Sequence, residues 1–200
     1  VIGRAGGIYA SHIRGEEDGL LGSYQEAIRI GREAEVPVHV SHMKVKGTPN
    51  WGNLRLAIDM IKQARKTGQR VTADQYPYIA ASTSLAATVF PPWSMSGGRE
   101  ELVKRLDTAD VGEKIRAAVA QSLSIKEDGK QIVIAQYGPR PEWVGRHLRE
   151  IAKQEEKTPL QITEEIIRNG GAQIVNFAMN EEEVRMAMQH PWVATASDGG

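Results

Sequence analysis

Three short runs of β-branched, aromatic and small residues return at a nearly constant interval, each closing on a polar side chain. Ile8-Tyr9-Ala10-Ser11 leads to His12, Val38-His39-Val40-Ser41 to His42, and Val71-Thr72-Ala73 to Asp74. The intervals are thirty and thirty-two residues. Between the runs, apolar residues recur at helical spacing: Ala27, Ile28, Ile30 and Ala34, then Leu54, Leu56, Ala57, Met60, Ile61 and Ala64. Parallel strands need a crossover of this size, and a helix is its usual form. An eight-unit barrel of about 250 residues spends about 31 residues on each unit. The interval therefore predicts consecutive βα units of a TIM-type (β/α)8 barrel.

The punctuation supports that order. Ser23 and Glu26 fit a capping box for a helix over 24–35, and Pro37 ends it before a strand over 38–42. Asn53 is placed to cap a helix over 54–67 that stops at Gly68. Beyond Tyr78 the rhythm breaks. Helices are predicted over 99–106, 111–122, 142–156 and 159–169, strands over 131–135 and 174–178, then a helix over 181–189 capped by Asn180 and a last strand over 192–197. The sequence thus divides into barrel units over 1–78, a largely helical insertion over 79–172 packed on the barrel mouth, and a last barrel strand region over 173–200. A connection of that length is too long for an ordinary βα loop.

Composition narrows the function. Twenty-five basic and 25 acidic residues balance, so nothing favours nucleic acid or an anionic membrane surface. The absence of a long apolar run argues against a membrane span and fits a soluble globular chain, and the absence of cysteine is compatible with the cytoplasm. With no cysteine, neither a disulfide framework nor a thiolate metal site lies in these residues. The chain starts at Val1-Ile2 and stops at Asp198-Gly199-Gly200, which reads as an internal piece of a longer protein.

The chemistry gathers at the strand ends. By alternation, Ile8, Ala10 and His12 share a face, as do Val38, Val40 and His42, and Ala194, Ala196 and Asp198. His39 has the opposite parity and is expected to face the helices. One histidine is more often hydrogen-bonded than metal-bound, but a matched pair one βα period apart is suited to share a divalent ion. Asp198 would then take a proton from a metal-activated water and pass it to a leaving amine. Asp74 reads equally as a loop cap, and Glu16-Glu17-Asp18 as a solvated loop. His147 and His190 need no metal, His190 being suited to a helix C-terminus.

Together, Ser11-His12-Ile13-Arg14-Gly15-Glu16, Ser41-His42-Met43-Lys44, Asp74-Gln75-Tyr76-Pro77-Tyr78 and Ser197-Asp198-Gly199 resemble the D-aminoacylase (N-acyl-D-amino-acid deacylase) family of the amidohydrolase superfamily. The resemblance implies a partial α/β barrel, roughly strands five to eight, with His12 and His42 as metal ligands and Asp198 as catalytic base and acid. It places Lys44, Tyr76 and Ser82 against the substrate. It also implies one tightly bound Zn2+, with a second, weaker divalent ion as a further option. The substrate would be a small N-acyl amino acid, hydrolysed at its linear amide to a carboxylate and a D-amino acid. The superfamily's His-x-His pair and its completing cysteine or glutamate have no counterpart in these 200 residues, so the segment alone is expected to be inactive. Two rivals stay open: a cyclic-amide hydrolase of the hydantoinase or dihydroorotase kind, and a non-catalytic barrel remnant used for binding.

Overall fold

The computed structural model describes residues 3–198, which divide into two compact units. One runs to Ile79 and resumes at Ala178; the other is Ala80–Phe177. In chain order the first unit supplies β1 (Tyr9–Ser11), α1 (Leu20–Glu33), β2 (Val38–Val40), α2 (Asn53–Lys66) and β3 (Val71–Gln75). The second supplies β4 (Ala81–Ser84), α3 (Leu85–Val89), α4 (Gly98–Leu106), α5 (Ala109–Ile125), β5 (Ile132–Gln136), α6 (Leu148–Gln154), α7 (Pro159–Arg168) and β6 (Gln173–Asn176). The first unit then closes with α8 (Glu181–Met188) and β7 (Val193–Thr195).

In the first unit the four strands are parallel and lie in the order β1-β2-β3-β7. A doubly wound sheet would reverse direction at a switch point. The sequential order is instead that of a section of a (β/α) barrel, with the second unit inserted between β3 and β7. Val38, Val40, Val71 and Ala73 are buried in one cluster with Leu20, Tyr24 and Ala27 of α1 and Leu54, Ala57, Ile58 and Ile61 of α2. Each large side chain buried there contributes about 1.5–3 kcal/mol.

That packing corrects the expected parity. Val38 and Val40 face the helices, whereas His39, level with Thr72 of β3, lies on the opposite face of the sheet. The alternation cannot be carried to His42, because β2 ends at Val40 and His42 has φ +39°. Both helix starts also differ from the sequence reading. Helix α1 begins at Leu20 rather than at Ser23, because Leu20 and Tyr24, one turn apart, are both buried. The Ser23 hydroxyl donates to the Gly19 carbonyl at 2.9 Å instead of capping. Helix α2 is capped not by Asn53 but from across the unit: Glu183 Oε1 accepts from the Gly52 and Leu54 N–H groups at 2.8 and 3.1 Å.

The second unit has a three-stranded antiparallel sheet, β4-β6-β5, and its own core around Trp143, Ile115, Leu148, Ile151, Ile162 and Ile166. Strand β6 is central in this sheet, so the unit runs on to Phe177 rather than closing at 172. Helix α7 starts as its sequence suggests, with a full capping box between Thr158 and Gln161 and Pro159 in the first turn. His147 caps α6, its Nδ1 accepting from Glu150 N–H at 3.0 Å.

Candidate metal centre

The site grows from the ends of three neighbouring strands of the first unit. His12 follows β1 directly, and His42 sits in the turn after β2. A left-handed backbone at a residue with a β-carbon costs of order 1–3 kcal/mol. Asp74 of β3 supports it, Oδ1 accepting from the His42 N–H at 2.6 Å. The other carboxylate oxygen meets His39 Nε2 at 2.8 Å, and His39 Nδ1 lies 2.9 Å from Thr72 Oγ1. Asp74 is thus the loop cap that the sequence allowed, acting on the neighbouring strand's loop.

With both backbones fixed, His12 Nδ1 and His42 Nε2 approach to 2.7 Å, the rings meeting edge-on at 4.4 Å between centroids. His12 is largely exposed, while His42 is partly covered. Beneath them lies Glu16, only 5% exposed. This overturns the reading of Glu16-Glu17-Asp18 as a solvated loop for its first member. Glu16 Oε1 is 2.6 Å from Lys44 Nζ and 3.2 Å from His42 Nδ1, and Oε2 is 3.0 Å from Lys46 Nζ. Lys46 N–H also donates to the Glu16 carbonyl at 2.8 Å. Lys44 Nζ aligns instead on His42 Nδ1 at 2.6 Å, leaving Glu16 Oε1 without a well-aligned donor despite the close ammonium.

The electrostatics follow from burial against charge. Burial alone would raise the Glu16 carboxyl, but hydrogen bonding with His42 and the charges of Lys44 and Lys46 hold it far below the usual carboxylate range. Burial lowers the Lys44 ammonium, and Glu16 only partly restores it. Burial lowers His12 as well, with the Glu16 charge opposing and His42, Lys44 and Lys46 reinforcing the shift. A depressed imidazole stays neutral at neutral pH, the form that ligates metal.

The donor set fits a divalent transition metal. Ligand atoms of His12, Glu16 and His42 lie within 4.8 Å of one another. Two nitrogens around a tetrahedral ion stand about 3.3 Å apart, so the 2.7 Å separation calls only for a small ring rotation. Two imidazoles leave the coordination open, and Glu16, already engaged by two lysines, is placed behind them rather than beside them.

Of the other expected residues, Lys44 is buried and its Nζ lies 5.5 Å from the centre of the Tyr76 ring. Tyr76 is buried too, its hydroxyl directed at Met179 Sδ at 3.7 Å. Burial, then the negative charges of Glu16 and Asp198, raise the Tyr76 phenol above its ordinary value. Asp198 is exposed, with φ +50°, and its charge reaches both Lys44 and Tyr76. Ser82 lies exposed on β4, in the second unit. Reasoning from sequence missed Glu16 and Lys46. The signal was available in Lys44-Val45-Lys46: two cations on one side of a chain entering a buried site require an anion. His190 stacks on Trp192, and burial, then Lys62, lowers its pKa, the reverse of what a helix C-terminus would do.

No family model matches the chain. It is 30% identical over 194 residues to a D-aminoacylase of Alcaligenes xylosoxydans xylosoxydans, a match covering 97% of this chain and 32% of that protein. An N-acyl-D-aspartate deacylase of the same organism is 31% identical over 199 residues, covering 98% of this chain and 32% of its own length. In structure it is similar to the N-acyl-D-glutamate deacylase of Bordetella bronchiseptica, with a TM-score of 0.71 and 28% identity over 99% of this chain and 34% of that one. That enzyme was crystallised with zinc and a phosphonate mimic of the tetrahedral intermediate. The chain spans about a third of the length of the relatives it matches. Sequence and fold alike relate this chain to the D-aminoacylase and N-acyl-D-amino-acid deacylase family of amidohydrolases, over a segment about one third of its members' length.

Proposed function

We propose that the protein is a zinc-dependent amidohydrolase that removes the acyl group from N-acyl-D-amino acids. One observation carries the reading: two imidazoles from consecutive parallel strand ends converge to 2.7 Å above a buried carboxylate, in a chain similar to such deacylases. His12 and His42 would hold the metal, two imidazoles alone leaving its coordination incomplete. Zinc supplies Lewis acidity toward the amide carbonyl and makes water nucleophilic at neutral pH. Asp198 would accept a proton from the attacking water and return it to the amine nitrogen as the C–N bond breaks. Lys44 and the protonated Tyr76 hydroxyl bind the substrate carboxylate, Ser82 is a further substrate-binding candidate, and the protein works in the cytoplasm. Among the described residues no helix is long and apolar enough to cross a membrane.

The test uses the intact protein, loaded with zinc and assayed on N-acetyl-D-methionine, N-acetyl-L-methionine and hydantoin. Turnover of the D-amide alone is expected. Preference for hydantoin would transfer the protein to the cyclic-amide hydrolases, and absence of bound metal would leave the binding-remnant reading. Asp198→Asn should lower kcat by about 10²–10⁴-fold, the usual contribution of a positioned acid–base. Residues 1–200 alone should turn over none of the three, because four strands do not close a barrel.

A further inference from the structure

We infer that Glu16 is a positioning residue for the metal centre: it selects the tautomer of His42 that offers Nε2 to the metal. The inference rests on the zinc reading above and deepens it. His42 Nδ1 has two neighbours of opposite demand. Lys44 Nζ, at 2.6 Å, can only donate, and so calls for a lone pair on Nδ1. Glu16 Oε1, at 3.2 Å, can only accept, and so calls for a proton there.

Neutral imidazole carries one N–H, so the two neighbours define two arrangements. In the first, Lys44 donates to Nδ1, and Nε2–H donates to His12 Nδ1 across the 2.7 Å contact. The Nε2 lone pair is then absent and His42 cannot ligate through that atom. In the second, Nδ1–H donates to Glu16 and Nε2 presents its lone pair toward His12 and the metal. Lys44 retains its 2.6 Å ion pair with Glu16 and its 3.3 Å bond to the His42 carbonyl, so it is not left unpartnered.

Glu16 is equipped for the second arrangement. Its Oε1 is buried and lacks an aligned donor, so it has a vacant acceptor site toward His42. Lys46, held to Oε2 at 3.0 Å and by its backbone to the Glu16 carbonyl at 2.8 Å, fixes the carboxylate's direction. Outer carboxylates on metal-bound histidines set tautomer and ring orientation, and their loss costs about 10–100-fold in metal affinity. Glu16 occupies that place, on the loop that follows the other histidine's strand.

The experiment compares wild-type intact protein with Glu16→Gln, which keeps the shape and an acceptor but can present an NH2 in its place. Zinc affinity is measured by chelator competition, the His42 tautomer by 15N imidazole shifts in the zinc-loaded state, and the thermal midpoint alongside. A 10–100-fold weaker zinc affinity in Glu16→Gln, with wild-type His42 protonated on Nδ1, is expected. Affinity within twofold of wild type, or a wild-type His42 protonated on Nε2, overturns the inference. Should Glu16→Gln not fold, the wild-type 15N spectrum decides by itself. A wild-type protein that takes up no zinc overturns the proposed function first, and that failure is distinct from a zinc-binding wild type that Glu16→Gln leaves unchanged.

Discussion

His42 shows how much of this site is made by backbone rather than by side chain. Its φ of +39° turns the ring out of the strand alternation, and the 2.6 Å bond to Asp74 keeps it there. Truncation of that partner leaves a strained turn and an unpaired N–H. Asp74→Ala should therefore destabilise the protein by about 1.5–3 kcal/mol, the range for a hydrogen bond to a charged group, read by urea unfolding of the metal-free protein. Asp74→Asn, which keeps a carbonyl acceptor, should lose much less. The identity of His12 and His42 as the converging pair was legible from their interval. Glu16 was not, because a carboxylate in an acidic, glycine-flanked run looks solvated until the two lysines that bury it are folded against it.

At the scale of elements, two long-range contacts decide what local propensity does not. Helix α2 has a glycine at its N-cap, and its first N–H groups are satisfied by Glu183 of α8, a residue more than a hundred positions away. Glu183→Ala should cost about 1–2 kcal/mol, as loss of a helix cap does, whereas Glu183→Gln retains the acceptor and should stay near wild type; denaturant titration separates them. Gly31 of α1 carries the second. A β-carbon there would stand 2.0 Å from Val38 Cγ2 and 3.2 Å from the Val36 carbonyl, so the glycine is what lets α1 lie against β2. Alanine gains about 1 kcal/mol of helix propensity, but overpacking costs about 1–3 kcal/mol. A lowered thermal midpoint for Gly31→Ala is the expected outcome. Asn180, whose partners lie within three residues, was read correctly as a cap because its bonds are local.

At the scale of the molecule, each unit carries a separate buried cluster. Residues 80–177 should accordingly fold alone with a single cooperative transition, followed by circular dichroism on heating; a non-cooperative melt would contradict an independent core. The acid limb of that transition has a named contributor. Arg140, lying over the Trp143 ring, binds Glu142 and also Glu155 at 2.8 Å, and holds both carboxyls below their usual range. Between the folded and unfolded pKa values the unfolded chain binds more protons, so stability rises with pH there. The contribution is complete above the ordinary carboxylate value of about 4.5 and is lost as pH falls through the lowered folded values. Arg140→Met should flatten the stability profile below about pH 4.5, measured as thermal midpoint against pH.

The sequence by itself determined the parallel βα succession, the pairing of His12 with His42 and the limits of α4 and α7, because interval, periodicity and local caps are written along the chain. It did not determine strands β4 and β6 as partners, since their register depends on residues about ninety positions apart. Nor did it determine which strand face meets the helices: β2 is buried on one side and polar on the other, and only packing against α1 and α2 tells Val38 and Val40 from His39. The buried charge cluster beneath the histidines was likewise decided by tertiary structure. Glu16, Lys44 and Lys46 are ordinary surface residues by composition, and become a buried ion-pair cluster only when desolvation forces them to satisfy one another.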